Sequence, residues 1–400
     1  MNKNNLLRVG TQIFLKETKP SGEDVLIKWS RENILNDFGV EEGKSILRKM
    51  QKFVGFENLP GHVDYQKIID GKWVNLYQPL QYKPQAGGDW GTIALYLKHI
   101  FGEQFELGLD YMQLLYVLPT HPLPIIVLVS RARETGKSTF IHLLKAIYGN
   151  NATINSNEDF RSQFNSDWAQ KLLIMVDEAL LNRREDSEKF KTLSVAKKYK
   201  REGKGVDRAE IDFYGKFVIC SNREDDPIII DPGEVRYWVR KIEKPSHDQT
   251  DLLDKMIAEI PSFLYFLSCR QMSTEKKSRM WFAPELYRTK ALDRIICCNR
   301  GKLQLAVIDV LEAIMEQEGK HELKFRSCDL MNIINMRYPH LKVGENDIRR
   351  LLKNEWDLTP APNKWNYQTY EVLNSTSYRT IESAGRYFTI TPDFLQSLTE

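Results

Sequence analysis

The chain has 400 residues, of which 42% are hydrophobic and 28% charged, the composition of an ordinary soluble globular protein. Its length predicts two or three domains of roughly 150 residues each. The net charge is only +3, so composition alone does not indicate a nucleic-acid-binding protein. Nucleic-acid binding would have to depend on local basic clusters.

The first part of the chain predicts an accessory region at 1–90 and a small helical collar at 91–122. The accessory region ends in PLQYKPQAGGDW (79–90), whose turn residues are typical of a loop. In the collar, TIALYLKHIFG (92–102) and YMQLLYVL (111–118) have apolar residues at helical spacing.

Residues 123–295 predict an α/β core. Buried strands are predicted at LPIIVLVS (123–130), KLLIMVDE (171–178), GKFVICSN (215–222) and RYWVRKI (236–242). One helix should run from Lys137 to a stop at Gly149, and another should cover 251–269, kinked or divided at Pro261. Continuous apolar strands alternating with helices predict a parallel sheet covered on both faces.

Residues 300–400 predict a winged-helix-like domain. Helices are expected at 302–319, 327–338 and 344–356, followed by strands in the alternating aromatic stretch from Trp365 to Ile390. The third helix carries Arg349, Arg350 and Lys353, which could contact the DNA backbone. Winged helices also bind proteins, so both interpretations stay open.

The cysteines and apolar runs predict the compartment. The five cysteines form no CxxC pair, which argues against a disulfide framework or a four-ligand zinc site and favours a reducing cytosol. The N-terminus lacks the apolar core of a signal peptide, and runs such as IIVLV are too short to span a bilayer. We expect a cytoplasmic protein without a membrane partner.

The stretch RARETGKST (131–139) resembles a phosphate-binding loop. Its last residues match the GK[ST] of that motif, but Arg131 replaces the first glycine. The loop lies between a predicted strand and helix, as phosphate binding requires. Lys137 could reach the β- and γ-phosphates of ATP, and the Ser138 hydroxyl could bind Mg²⁺. The candidate nucleotide-binding residues are Thr135, Gly136, Lys137, Ser138 and Thr139.

Polar residues end the next two core strands. Asp177 could hold Mg²⁺, and Glu178 could orient and deprotonate an attacking water. Asn222 could hydrogen-bond the γ-phosphate or that water. Each has an ordinary alternative, a solvated strand end for the acids and a turn residue for Asn222. Together with the loop, they predict nucleotide hydrolysis.

A basic segment, AKKYKREGKGVDRAEIDFYGK (196–216), predicts a loop or hairpin that grips DNA phosphates in a central channel. Lys200 and Lys204 lie near its glycine-bearing tip, and Tyr199 could stack on a base. A solvated charged loop is the alternative. The candidate cations are Lys197, Lys198, Lys200, Arg201, Lys204, Arg208 and Lys216.

Arg236 and Arg240 follow the third core strand. A ring ATPase needs a cation from the neighbouring subunit to stabilise charge on the γ-phosphate. Either arginine could serve, and Arg236 is preferred, although both could instead pair with Glu234 or Glu243. Alternate residues of a strand share a face, so Arg236, Trp238 and Arg240 should point the same way.

These motifs and spacings resemble the superfamily 3 helicases of viruses, phages and plasmids. The flanks FGEQFELGLDYMQLLY, DFYGKFVICSN and RMWFAPELYRTKALDRI resemble the helicase module of phage primase-helicases of the poxvirus-like type. The resemblance covers about 75–295. It implies an AAA+ ATPase core that uses ATP and Mg²⁺, forms a homo-oligomeric ring, usually a hexamer, and translocates 3′-to-5′ on single-stranded DNA. Arg131 departs from the pattern.

The sequence therefore predicts an ATP-dependent replicative DNA helicase of a phage or mobile element. No primase signature is visible, and a primase or polymerase is a further candidate partner. One alternative is a P-loop kinase of a small acceptor, with RREDSEKF (183–190) as its arginine lid. Another is a DNA-binding initiator or regulator that uses ATP only to assemble.

Overall fold

The computed structural model describes residues 3–20, 24–162, 164–181, 183–203, 206–231, 233–245, 251–374 and 377–399. The chain divides into two compact units that alternate along the sequence. The first unit comprises Met1–Ala179, Thr192–Asn222 and Val235–Thr289. The second unit comprises Leu180–Lys191, Arg223–Glu234 and Lys290–Glu400.

The N-terminal segment forms small sheets and two adjacent helices that the sequence did not predict. Its sheets order their strands β3-β2-β1-β4 and β5-β7-β6. The first helix begins after Ser30, whose hydroxyl accepts a hydrogen bond from the amide of Asn33 at 3.0 Å. The elements are β1 (Leu6–Val9), β2 (Gln12–Thr18), β3 (Asp24–Trp29), α1 (Arg31–Phe38), α2 (Val40–Lys49), β4 (Gln51–Phe53), β5 (Gly55–Glu57), β6 (Ile68–Ile69) and β7 (Trp73–Asn75).

A parallel sheet forms the core of the first unit, as predicted. Its order is β14-β8-β13-β10-β9, with neighbouring strands paired in parallel. The central strands are apolar at successive positions because helices or loops cover both faces. The elements are α3 (Gly91–Phe101), α4 (Phe105–Val117), β8 (Ile125–Val129), α5 (Lys137–Tyr148), β9 (Ala152–Asn155), α6 (Asn157–Arg161), β10 (Leu173–Val176), α7 (Arg184–Leu193), β11 (Lys198–Gly203), β12 (Val206–Asp212), β13 (Lys216–Ser221), β14 (Tyr237–Lys241), α8 (Leu252–Cys269) and α9 (Pro284–Tyr287).

Helices α3, α4 and α8 pack against one another beside this sheet. The carboxylate of Glu259 on α8 accepts hydrogen bonds from the amides of Thr92 and Ile93 at 3.2 and 2.9 Å, so it caps the positive end of α3. Helix α8 continues through Pro261, which does not divide it.

The second unit has its own apolar core, which includes Val307, Leu311, Phe325 and Ile334. Strands β16 and β17 form an antiparallel hairpin, and β15 pairs with β18. Helix α10 begins twelve positions before the predicted start at 302, and α12 ends in a π-helical turn. The elements are α10 (Lys290–Glu318), β15 (Leu323–Phe325), α11 (Ser327–Arg337), α12 (Glu345–Arg350), β16 (Trp365–Asn374), β17 (Ser377–Gly385), β18 (Phe388–Ile390) and α13 (Pro392–Thr399).

Ion pairs hold the two short inserted segments of the second unit to its C-terminal part. Arg184 lies 2.8 Å from the carboxylate of Asp231 and 3.2 Å from that of Asp347. Lys302 lies 2.6 Å from Asp226. The predicted domains had contiguous limits, whereas the compact units interleave along the chain.

Lys216 lies inside the first unit, which corrects its inclusion among the cations that grip DNA. It is the first residue of β13 and is only 2% exposed. Its ammonium donates hydrogen bonds to the carbonyl oxygens of Pro119 and Tyr214. Burial without a carboxylate partner lowers the pKa of Lys216 to about 7.

Because the amine of Lys216 is buried, we expect the stability of the protein to depend on pH. An unfolded lysine has a pKa of about 10.4, so between pH 7 and 10 the unfolded chain holds a proton that the folded chain has released. The free energy of unfolding should therefore rise with pH in this window, by up to about 1.4 kcal/mol per unit. Lys216→Met should remove this slope in urea titrations at pH 7, 8 and 9. Equal slopes in both proteins would contradict the assignment.

No helix among the described residues has both the length and the apolar character needed to cross a membrane.

Candidate functional site

The predicted site residues meet at the carboxyl ends of neighbouring strands of the parallel sheet. Strands β8, β10 and β13 are hydrogen-bonded neighbours, so the loops that follow them emerge side by side. A cavity of about 370 Å³ lies there, lined by residues 133–139, Asp177, Glu178, Ser221 and Asn222. Motifs distant in sequence thus share one concave surface.

The loop after β8 makes its tight turns at Glu134 and Gly136, whose φ angles are 57° and 92°. Gly136 adopts this left-handed backbone without strain, whereas Glu134 does so at some cost. Arg131, where the first glycine of the motif would stand, is exposed and is not a positive-φ residue. The turn therefore does not require glycine at position 131.

Lys137 lies over this loop and is 6% exposed. Its ammonium donates hydrogen bonds to the Thr135 hydroxyl at 3.0 Å and to the Ala132 carbonyl at 3.5 Å. Helix α5 begins at Lys137, with Gly136 as its N-cap, so the positive end of the helix dipole faces the loop. A cation, backbone amides and a helix N-terminus suit a phosphate anion.

The acids after β10 differ in exposure. Glu178 is exposed, whereas Asp177 is half-buried and accepts a hydrogen bond from the Glu178 amide at 3.0 Å. Glu178 has a φ of 52°, a strained backbone of the kind that persists at functional sites. Ser138 and Asp177 line the same cavity, and their oxygens fit Mg²⁺, which binds one or two carboxylates together with phosphate and water.

Hydrogen bonds join the strand ends beneath Asn222. The Ser221 hydroxyl donates to the Ala179 carbonyl at 2.6 Å, and the Ala179 amide donates to the Cys220 carbonyl at 2.7 Å. Asn222 itself is exposed at the cavity. Burial raises the pKa of the Cys220 thiol, with a further contribution from Asp177, so this cysteine stays protonated.

The two candidate arginines lie in different surroundings. Arg240 has a side chain only 9% exposed, 2.6 Å from Glu103 and 3.0 Å from Gln104, so its intrachain partner is neither Glu234 nor Glu243. Trp238 also bonds Gln104, at 2.8 Å, so Trp238 and Arg240 share a face as predicted. The guanidinium of Arg240 lowers the pKa of Glu103.

Arg236 directly precedes β14, so it lies at the amino end of this strand, whereas the cavity lies at the carboxyl ends of the strands. Its carbonyl accepts a hydrogen bond from Ile125, the first residue of β8, at 2.8 Å. The cavity lies beyond Val129, the last residue of that strand, roughly 13 Å away at about 3.3 Å per residue. Arg236 is therefore distant from the cavity of its own chain.

The basic segment forms an antiparallel hairpin, β11 and β12, as predicted. Buried Asn165 holds the β11 strand through hydrogen bonds to the backbone of Lys200 and Glu202, at 2.9 and 2.8 Å. Lys197, Lys198 and Lys200 are exposed.

Other residues of the hairpin are less available. Lys198 pairs with Glu210 at 3.2 Å, and Arg201 bonds Gln170 at 2.9 Å. The half-buried Tyr199 ring stacks on Trp168 with ring centroids 5.7 Å apart, and base stacking by this residue stays a prediction. Lys204 and the side chain of Arg208 lie outside the described residues.

The second unit contains a larger cavity of about 560 Å³, which Arg350 lines. Arg349 pairs with Glu345 at 2.6 Å, and Lys353 is exposed. DNA contact through this helix stays a prediction.

Sequence reasoning missed two side chains of α3 that contact the backbone of the loop after β8. The Tyr96 hydroxyl donates to the Gly136 carbonyl at 2.7 Å. His99 Nε2 lies 3.0 Å from the Thr135 carbonyl oxygen. The only signal was a tyrosine and a histidine three positions apart on an apolar helix, a pattern that core helices commonly show.

Comparisons with known proteins establish the fold. A model described as "Family of unknown function (DUF5906)" matches residues 128–236. The apo structure of the NrS-1 C-terminal region is similar over 94% of this chain and 95% of that one, with a TM-score of 0.57 and 13% identity. Its A form gives 0.57 at 14% identity, with the same coverage. A ligand-bound JCV helicase covers 54% of this chain and 61% of that one at 15% identity, but its TM-score of 0.28 is too low to support an argument. No curated protein matches the sequence. The chain therefore has the fold of the NrS-1 C-terminal region, a mixed α/β fold with a parallel sheet.

Proposed function

We propose that the chain is an ATP-dependent DNA helicase of a phage or mobile element, with a superfamily 3 AAA+ core. The observation that carries this proposal is the shared cavity of the phosphate loop, Asp177, Glu178 and Asn222 at the carboxyl edge of the sheet. A phosphate-binding end and an acidic end face each other there, as ATP hydrolysis requires.

Each residue then has a chemical task. Lys137 and the amides that begin α5 bind the β- and γ-phosphates. Ser138 and Asp177 would hold Mg²⁺, which would neutralise charge on the phosphates. Glu178 is exposed to the cavity and accepts a proton from the attacking water, while Asn222 orients that water or the γ-phosphate.

The position of Arg236 supports a ring. Because this residue lies roughly 13 Å from the cavity of its own chain, it can stabilise γ-phosphate charge only in a neighbouring subunit. Arg240 is committed to Glu103 and takes no such part. We infer a homo-oligomeric ring, hexameric by resemblance, with the hairpin around single-stranded DNA and the second unit as a winged-helix-like module. Docking of a primase or polymerase stays a proposal.

The kinase alternative is weaker because one of the two arginines of its lid, Arg184, is engaged elsewhere, although Arg183 is exposed. Arg184 forms ion pairs with Asp231 and Asp347 within the second unit. The initiator alternative needs the same ATP site and differs in predicting binding to specific duplex sites with negligible strand separation.

ATP turnover, measured with and without single-stranded DNA and alongside particle mass, tests the proposal. The wild type should hydrolyse ATP faster with DNA. Lys137→Ala should abolish turnover with an unchanged fold, because the phosphates lose their cation. Lys145→Ala is the matched control on α5, since Lys145 caps backbone carbonyls at the far end of this helix, at 2.6 and 2.8 Å. A monomer without ATPase activity would refute the proposal.

The hairpin should contribute a nonspecific electrostatic grip. Replacing both Lys197 and Lys200 with alanine should make the slope of log affinity against log salt less steep by about 1.4. Each lost contact to a single-strand phosphate contributes about 0.7 to this slope. Basal ATPase should survive while DNA stimulation falls. Fluorescence anisotropy with two unrelated oligonucleotides measures the slope.

Arg349→Ala with Lys353→Ala is the control for the hairpin variant. If this pair flattens the slope and the hairpin variant does not, the DNA contact belongs to the second unit.

A further inference from the structure

Two side chains of α3 contact the backbone of the proposed phosphate loop. Tyr96 and His99 lie one turn apart on this helix. Tyr96 contacts the carbonyl of Gly136, and His99 contacts the carbonyl of the preceding residue, Thr135. Neither side chain lines the cavity, so both act on the opposite side of the loop.

Both contacts have a defined direction. A carbonyl oxygen only accepts hydrogen bonds, so His99 Nε2 must carry the hydrogen. Burial raises the pKa of the Tyr96 hydroxyl well above its ordinary value, and this group therefore also stays a donor. The Tyr96 ring packs closely, since a Cβ on Gly136 would lie 3.4 Å from it.

Peptide geometry carries the effect across the loop. In a trans peptide the C=O of one residue and the N–H of the next point in opposite directions. Drawing the Thr135 carbonyl toward α3 therefore turns the Gly136 amide away from α3. The Gly136 carbonyl, which also accepts a hydrogen bond from the Phe140 amide of α5 at 3.0 Å, acts in the same way on the Lys137 amide. Both residues line the cavity on that side.

We propose that Tyr96 and His99 are positioning residues that fix the amides of Gly136 and Lys137 in the orientation that binds phosphate. They would supply order to a loop in which Glu134 adopts a strained left-handed backbone. This inference rests on the proposed nucleotide site and extends it to a helix outside the cavity.

Titration with fluorescent ADP tests the inference in the full chain. Tyr96→Phe and His99→Leu should each weaken binding about fivefold, and together about twentyfold, because each removes one hydrogen bond to the loop. His99→Gln keeps an amide donor and should restore most of the affinity. Hydrogen exchange without nucleotide should be faster at the Gly136 and Lys137 amides in the double variant.

Tyr111→Phe is the matched control, because the buried Tyr111 hydroxyl donates to the Pro124 carbonyl at 3.2 Å, away from the loop. It should leave ADP affinity unchanged. Equal weakening in this control, or wild-type affinity in the double variant while Lys137→Ala fails to bind, would overturn the inference and leave the nucleotide site standing. A wild type that binds no ADP would remove both.

Discussion

Glu178→Gln should bind ATP normally and hydrolyse it about 10²–10⁴-fold more slowly, the usual contribution of a general base. The amide keeps the shape of the side chain and the left-handed backbone at this position, and Asp177 keeps its place at the proposed metal site. The attacking water loses only its proton acceptor. Single-turnover hydrolysis and fluorescent nucleotide binding measure the two effects separately.

Glu243→Gln is the control for this variant. Glu243 is an exposed carboxylate of the first unit that pairs with Lys241 at 3.1 Å, and it does not line the cavity. Its turnover should match the wild type. Wild-type turnover in Glu178→Gln would remove Glu178 from the mechanism and direct attention to Asp177.

Arg236→Ala should reduce ATP hydrolysis by about 10³–10⁵-fold, the contribution typical of an arginine supplied across a subunit boundary. Nucleotide binding should persist, because the phosphate loop is intact. Mixing this variant with Lys137→Ala should restore activity at about a quarter of the interfaces, since each needs one subunit of each kind in a head-to-tail ring.

Arg240→Ala separates this effect from loss of folding. It leaves Glu103 without its buried partner and should lower stability, and mixing with Lys137→Ala should not rescue it. Full activity of Arg236→Ala in a protein that sedimentation shows to be monomeric would exclude the ring.

The sequence predicted the elements whose signal is local. Strands such as IIVLV and LIMV are apolar throughout and end in polar residues, so the parallel sheet followed from periodicity. The N-terminal strands are short and mix polar and apolar residues, so their periodicity was too weak to read.

Tertiary context decided the remaining residues. Lys216 and Tyr199 belong to a basic run, yet one enters the sheet and the other packs on Trp168. Arg240 forms its ion pair with Glu103, which lies more than a hundred positions away in the sequence. No periodicity encodes such long-range partners, and the same is true of the contacts from Tyr96 and His99 to the loop.

The interleaving of the two units limits how this protein can evolve by recombination. The chain passes from one unit to the other at 179/180, 191/192, 222/223, 234/235 and 289/290. A single crossover near residue 290 would exchange the C-terminal part and leave behind Leu181, Ile228 and Ile230 of the second unit, which are at most 1% exposed in the intact chain. Chimaeras joined there should aggregate unless both inserted segments come from the same parent as the C-terminal part. Two segments of the second unit begin at Leu180 and Arg223, within two positions of Glu178 and Asn222, so this unit is not inherited as a separable cassette.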